Sequence, residues 1–191
     1  MTHIILFGPP GAGKGTQADY ISHNYNFLHI STGDVFRYNI KNETELGKRA
    51  KSFIDRGELV PDDVTIKMLA GEIDNAADKS GIIFDGFPRT QAQAKALDDL
   101  LSEKNQKLDA LISLYVDDHI LIERLKERGK TSGRKDDADE TVIKNRIQVY
   151  YTETEIVKDY YKHQNKLYTV NGVGDIKEIT KRLNNVIDQF I

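Results

Sequence analysis

The chain has 191 residues, with 27 basic and 30 acidic side chains, a formal charge of −3 and a pI of about 6.0. That balance excludes a nucleic-acid reader working through bulk positive charge, and the length predicts one domain, or one domain with insertions. Without cysteine there is no disulfide framework, thiolate catalysis or cysteine-ligated zinc, and the five histidines are too scattered to replace it. The N-terminus MTHIILFGPP lacks a basic leader and a long apolar core, and no apolar run approaches the roughly 18 residues of a membrane span, so a cytoplasmic protein is expected.

Short apolar runs at 4–7, 27–30, 82–84, 110–116 and 167–170, rich in β-branched and aromatic residues, predict five strands mostly buried on both faces. The first run leads directly into GPPGAGKGT at 8–16 and then a helical pattern. Glycines let successive backbone N–H groups turn inward on phosphate oxygens, the helix N-terminus adds partial positive charge, and Lys14 reaches the β/γ-phosphates. Gly15 separates this lysine from Thr16, where the strict pattern has a hydroxyl residue directly after it.

After the second run, STGDVFR at 31–37 places Thr32 as a helix cap and Arg37 one turn inside, within reach of an anion. After the third, Asp85 at a strand end suits the water shell of Mg²⁺, and the Gly86-Phe87-Pro88 turn fixes the approach of Arg89. Thr90 and Asp118 read as caps of helices over 91–104 and 119–128. On the second of these, Arg124 and Arg128 stand four residues apart, a like-charge pair whose cost an anion between them would reverse. Gly129 and Gly133 read as hinges, and Asp136 and Asp137 either pair with neighbouring cations or sit in a solvated loop. Tyr150, Tyr151, Tyr160 and Tyr161 read as packing residues. Ile176, Ile179, Leu183, Val186 and Phe190 give a C-terminal helix one apolar stripe. Strand alternating with helix predicts an α/β fold with a parallel sheet, whose carboxyl edge would gather these motifs into one crevice.

GPPGAGKGTQ at 8–17, STGDVFR at 31–37, FDGFPRT at 84–90, RLKERGKTSGRKDD at 124–137 and N-G-x-G at 171–174 resemble the adenylate kinases, nucleoside monophosphate kinases, in their short-lid form; the motifs fall in family order over nearly the whole chain. The resemblance implies a three-layer P-loop NTPase fold with a five-stranded parallel sheet. It divides the chain into a core of 1–30, 61–123 and 138–191, a helical monophosphate-binding insertion at 31–60 and a short lid at 124–137, where the zinc site of longer members cannot be built without cysteines and with His119 the only histidine nearby. It further implies the reaction ATP + AMP ⇌ 2 ADP in adenine nucleotide homeostasis, with Mg²⁺ required, ATP, AMP and ADP as partners, no nucleic acid or membrane, and a monomer.

The implied catalytic cations are Lys14, Arg89, Arg124, Arg128, Arg134 and Arg146, guanidinium groups being well suited to the equatorial phosphoryl oxygens. ATP would be held by Gly11, Ala12, Gly13, Lys14, Gly15, Thr16, Arg128 and Gly174. AMP would be held by Thr32, Arg37, Glu58, Leu59, Val60, Gly86, Phe87, Pro88, Arg89, Gln93, Arg134 and Arg146, with Gln93 reading adenine, and Asp85 would hold Mg²⁺ through water. Arg134 and Arg146 are twelve residues apart, one more than expected, so an insertion near Ala138 is placed in the loop before the next helix; Lys144 is the alternative to Arg146. Two other readings stay open: a related kinase with UMP or CMP as acceptor or GTP as donor, and a nucleotide-hydrolysing switch, against which stands the lack of an N-K-x-D guanine reader.

Overall fold

Ile4, Ile5, Leu6 and Phe7 are all buried, and the two-residue period of a strand sends Ile4 and Leu6 into one core and Ile5 and Phe7 into another. A strand apolar on both faces needs a helical layer on each side. The computed structural model, which describes residues 1–76 and 78–191, has that form. In chain order it contains β1 (Thr2–Phe7), α1 (Lys14–Tyr25), β2 (Phe27–Ser31), α2 (Thr32–Lys41), α3 (Glu45–Arg56), α4 (Asp62–Ile73) and β3 (Gly81–Asp85). There follow α5 (Gln91–Glu103), β4 (Ala110–Tyr115), α6 (Asp118–Ser132), α7 (Glu140–Val149), α8 (Val157–Lys162), β5 (Leu167–Asn171) and α9 (Ile176–Ile187).

The five strands form one parallel sheet in the order β2-β3-β1-β4-β5. Helices α1, α6, α7 and α9 cover the face of Ile4 and Leu6, and α4, α5 and α8 cover the other. The central strands are buried almost throughout, whereas the edge strands β2 and β5 are only partly so. Helices α2 and α3 pack on each other over a separate small core of Phe36, Ala50, Val60 and Val64, so the third core reaches past residue 60 into α4.

Several local expectations are corrected. Ser31, not Thr32, caps α2, accepting from Asp34 N–H at 3.3 Å, because Thr32 already has helical backbone. Asp118 lies inside α6 and Asp117 precedes it, without a side-chain cap bond. Thr90 does cap α5, accepting from Gln93 N–H at 3.1 Å. Helix α6 runs on to Ser132, so Gly129 is helical; a Cβ there would meet the Asp137 carbonyl oxygen at 2.4 Å, which makes this glycine a close-packing residue rather than a hinge. Gly133 ends the helix in the left-handed region, φ +65°. On α9 the buried stripe is Ile179, Leu183 and Ile187, while Ile176 is exposed at the rim of a groove. Tyr150 and Tyr161 are packed inside, Tyr150 against Phe7, and Tyr160 packs edge-on against Tyr161 while donating to Asp98; Tyr151 is more exposed and donates to Asp118.

Candidate functional site

The chain winds from β1 to β2 and β3 on one side and then to β4 and β5 on the other, so the switch in direction falls at β1. Ligands of open α/β sheets bind at the carboxyl end of such a point. There the loop 8–13 turns β1 into α1. Gly13 precedes the helix at φ +92°, a backbone conformation open to glycine, and offers no side chain to the first-turn N–H groups of α1, which remain available to an anion. The Lys14 ammonium lies along this loop, donating to Gly8 O at 2.7 Å and Pro9 O at 3.0 Å. Burial pushes its pKa down to about 8, and Arg89, Arg146 and Arg128 add to the effect against the opposing charge of Asp85.

In front of the loop opens a cleft of about 360 Å³, lined by Lys14, Arg37, Arg89, Arg128, Arg134 and Arg146. Arg89 is fixed by its own turn, donating from Nε to Gly86 O at 2.7 Å; burial lowers its pKa to about 10, with Arg146 and Arg37 contributing. The pKa of Arg134 is also lowered, first by burial and then by Arg37 and Arg128. Cations from separate segments that depress one another in this way make a field complementary to a polyanion.

Two buried carboxylates hold part of that charge in place. Asp137, whose side chain is wholly buried, accepts from Arg128 Nε at 2.6 Å and Nη2 at 3.0 Å and from Arg146 Nη1 at 2.5 Å. Burial would raise its pKa, yet the bonds and charges of Arg128 and Arg146 prevail and hold it below the usual carboxylate range. Asp136 is buried as well and pairs with Arg146 at 3.0 Å. The aspartate pair is therefore an interior ion-pair network, not a solvated loop. Arg146 faces the cleft, while Lys144 points outward to Glu140 at 2.9 Å with 62% of its side chain exposed.

Thr32, Glu58, Leu59, Val60, Gly86, Phe87, Pro88 and Gln93 line the same cleft. Thr32 donates to Gly86 O at 2.9 Å, and the Glu58 side chain turns aside to Arg56, at 2.9 and 2.7 Å. Gln93 is 1% exposed; its Oε1 accepts from Arg89 N–H at 2.7 Å and its Nε2 donates to Asp62 at 2.7 Å.

A second, larger cavity of about 1120 Å³ lies between α1, α6 and α9. Arg124 borders this outer groove and not the cleft, its Nη2 donating to Gly172 O at 3.1 Å, so of the cations named from the sequence it shares a cavity with Arg128 alone. Gly174 and Ile176 line the groove, and Arg182, which sequence reasoning missed, donates to Asn171 O at 2.9 Å and Val173 O at 2.6 Å and so fixes the loop that carries Gly174. Gly11, Gly13, Thr16 and Arg128 border both cavities. The glycine loop is thus a bridge between two ligand-sized spaces.

Asp85 ends β3 with 12% of its side chain exposed; its Oδ2 lies 3.6 Å from His29 Nε2 and 3.5 Å from where a Cβ on Gly15 would stand. Among the described residues no group of three or more His, Asp and Glu side chains could hold a metal ion by itself. One carboxylate beside a phosphate cradle fits Mg²⁺ of the kind carried mainly by phosphates and water.

A family model described as adenylate kinase matches residues 6–166. The chain belongs to the adenylate kinase family. It is 59% identical over 190 residues to the adenylate kinase of Flavobacterium psychrophilum and 54% identical over 190 residues to that of Flavobacterium johnsoniae, each alignment covering 100% of both chains. The adenylate kinase of Bacteroides thetaiotaomicron is 47% identical over 190 residues, covering 100% of both. Relatives of this length agree with the short-lid form of the adenylate kinases, and the five-stranded parallel sheet between two helical layers is their P-loop architecture.

Proposed function

We propose that this chain catalyses ATP + AMP ⇌ 2 ADP, with the adenosine of ATP in the outer groove, AMP in the inner cleft and the phosphates meeting over Lys14. The observation that carries this reading is the pair of cavities sharing the glycine loop and Arg128. A single-nucleotide hydrolase has no use for the second one.

In the forward direction an oxygen of the AMP phosphate forms a bond to the γ-phosphorus of ATP while the bond to the β-phosphate oxygen breaks, and ADP leaves. Loop N–H groups and Lys14 carry the charge of the donor phosphates, Arg37 and Arg89 orient the acceptor phosphate, and Arg128, Arg134 and Arg146 face the transferring group. Mg²⁺, held by Asp85 through water, would neutralise donor phosphate charge when bound. Leu59 and Val60 border the acceptor base, Gln93 reads it, and the backbone of Gly174 borders the donor base beside Arg124.

We assign the core to 1–30, 61–123 and 138–191, the monophosphate-binding insertion to 31–60 and the lid to 124–137. The lid carries Arg128 and Arg134, so its closure would complete the cation set and exclude water, the competing acceptor. One chain lines both cavities, which supports a monomer, and among the described residues no helix is long and apolar enough to cross a membrane. A cytoplasmic location is proposed on the substrates.

An inhibitor joining two adenosines through five phosphates tests the reading. Linking makes the second binding step intramolecular, so this compound is expected to bind at least about 100-fold tighter than ATP and to compete with both substrates. Affinity equal to that of ATP, with AMP unaffected, would contradict two sites over one cradle.

A further inference from the structure

Asp62 opens α4 just behind the acceptor end of the cleft without lining it. Its two oxygens are both used: Oδ1 accepts from Gln93 Nε2 at 2.7 Å and Oδ2 accepts from Thr90 Oγ1 at 2.9 Å. Thr90 Oγ1 itself accepts from Gln93 N–H, and Gln93 Oε1 accepts from the Arg89 N–H at 2.7 Å. A carboxylate only accepts and a backbone N–H only donates. The Gln93 amide therefore has one satisfactory orientation, nitrogen towards Asp62 and oxygen towards Arg89. Reversed, its oxygen would oppose the carboxylate and its N–H groups would oppose an N–H, with the whole side chain nearly inaccessible to water.

A primary amide offers two donors and two acceptor sites, and these partners use one of each, so one N–H and one carbonyl lone pair remain for a base. Their polarity is then fixed. Adenine presents its 6-amino donor beside a ring-nitrogen acceptor and matches the pair. Hypoxanthine and guanine present a 6-oxo acceptor beside an N–H donor and would need the amide reversed. A glutamine free to rotate by half a turn would serve both classes equally.

We propose that Asp62 is a specificity-determining positioning residue, which locks the Gln93 amide in the polarity that pairs adenine and rejects 6-oxopurine monophosphates. The inference rests on the inner cleft being the AMP site. It extends that reading to a residue that does not touch the substrate and lies outside the insertion.

The test is kcat/KM for AMP and for inosine monophosphate with saturating Mg·ATP, in the wild type and in Asp62→Asn, Asp62→Ser and Gln93→Leu. Asparagine keeps the shape of Asp62 but can donate as well as accept, and serine removes the charge with less bulk. Both Asp62 variants are expected to lower the AMP-to-inosine-monophosphate ratio at least about 10-fold, the scale of one hydrogen bond of wrong polarity, with KM for ATP within about twofold of wild type. A merely structural role would lower both acceptors together. An unchanged ratio in the Asp62 variants, beside a collapsed ratio in Gln93→Leu, would overturn the role of Asp62 and leave the AMP site standing. An unchanged ratio in Gln93→Leu would overturn the AMP-site reading itself, and this inference with it.

Discussion

Replacing Asp137 by alanine removes a wholly buried side chain that holds two cleft arginines at once. The carboxylate is wholly buried and takes two hydrogen bonds from Arg128 and one from Arg146. Breaking a buried ion pair by removing one partner costs about 3–5 kcal/mol. Here the Arg128 side chain is 36% exposed and that of Arg146 18%, so water takes over part of each guanidinium and the lower end, about 3 kcal/mol, is expected. At this chain length each kcal/mol moves Tm by about 2–4 °C, which gives a fall of about 6–12 °C by scanning calorimetry near neutral pH. The Asp137 carboxyl is held below its usual range, so its stabilisation is fully present above the unfolded-state value of about 3.9 and is lost as pH falls through the lower native value. The Tm gap between wild type and variant should therefore narrow on acidification below about pH 4. Added sulfate should recover more stability in the variant than it adds to the wild type, because two freed guanidinium groups then offer the anion a site. A gap under about 2 °C at neutral pH, or one that persists undiminished in acid, would refute this pairing as a stabilising element.

Lys14→Met should lower kcat at least about 100-fold, the scale of one preorganised electrostatic contact, with an unchanged circular dichroism spectrum; near-normal turnover would remove Lys14 from the cradle. With the Lys14 pKa at about 8 and the protonated form required, kcat/KM for Mg·ATP should decline as pH rises through that value, whereas Lys14→Arg should show no decline there, and a flat wild-type profile would contradict the requirement for charge. Arg146→Met should lower kcat/KM at least about 100-fold while Lys144→Met stays within about twofold of wild type; the reverse order would give the role to Lys144.

The strands were legible because runs such as residues 4–7 are apolar at every position, and only a sheet covered on both faces buries them all. The cradle was legible because its chemistry is local: glycines, a lysine and a helix start lie within nine residues. What the sequence concealed depends on contacts between distant segments. Asp136 and Asp137 sit in a run of charges that reads as solvated, and only the packing of α6 against the following turn, through the close approach of Gly129 to the Asp137 carbonyl, carries them inside. The same packing turns an expected hinge into a helical contact. Asp62 lies 31 residues from Gln93, and no pattern joins the two until α4 and α5 begin side by side. Arg124 and Arg128 share a helix face and both border the outer groove, yet the loop carbonyl at Gly172 keeps the first there alone while Asp137 draws the second on into the cleft as well. Cap positions shifted by one residue at Ser31 and Asp117 because neighbouring residues of equal capping ability leave the choice to the strand end.

The most direct test of two nucleotide sites over one cradle is the initial rate of ADP formation with Mg·ATP and AMP, each alone and both together, with the terminal phosphate of ATP labelled. The expected result is ADP only when both are present, two ADP for each AMP consumed, and the label in the β-phosphate of the ADP newly made from AMP. Release of labelled inorganic phosphate from ATP alone, at a rate AMP does not change, would show water to be the acceptor and contradict the two-substrate site.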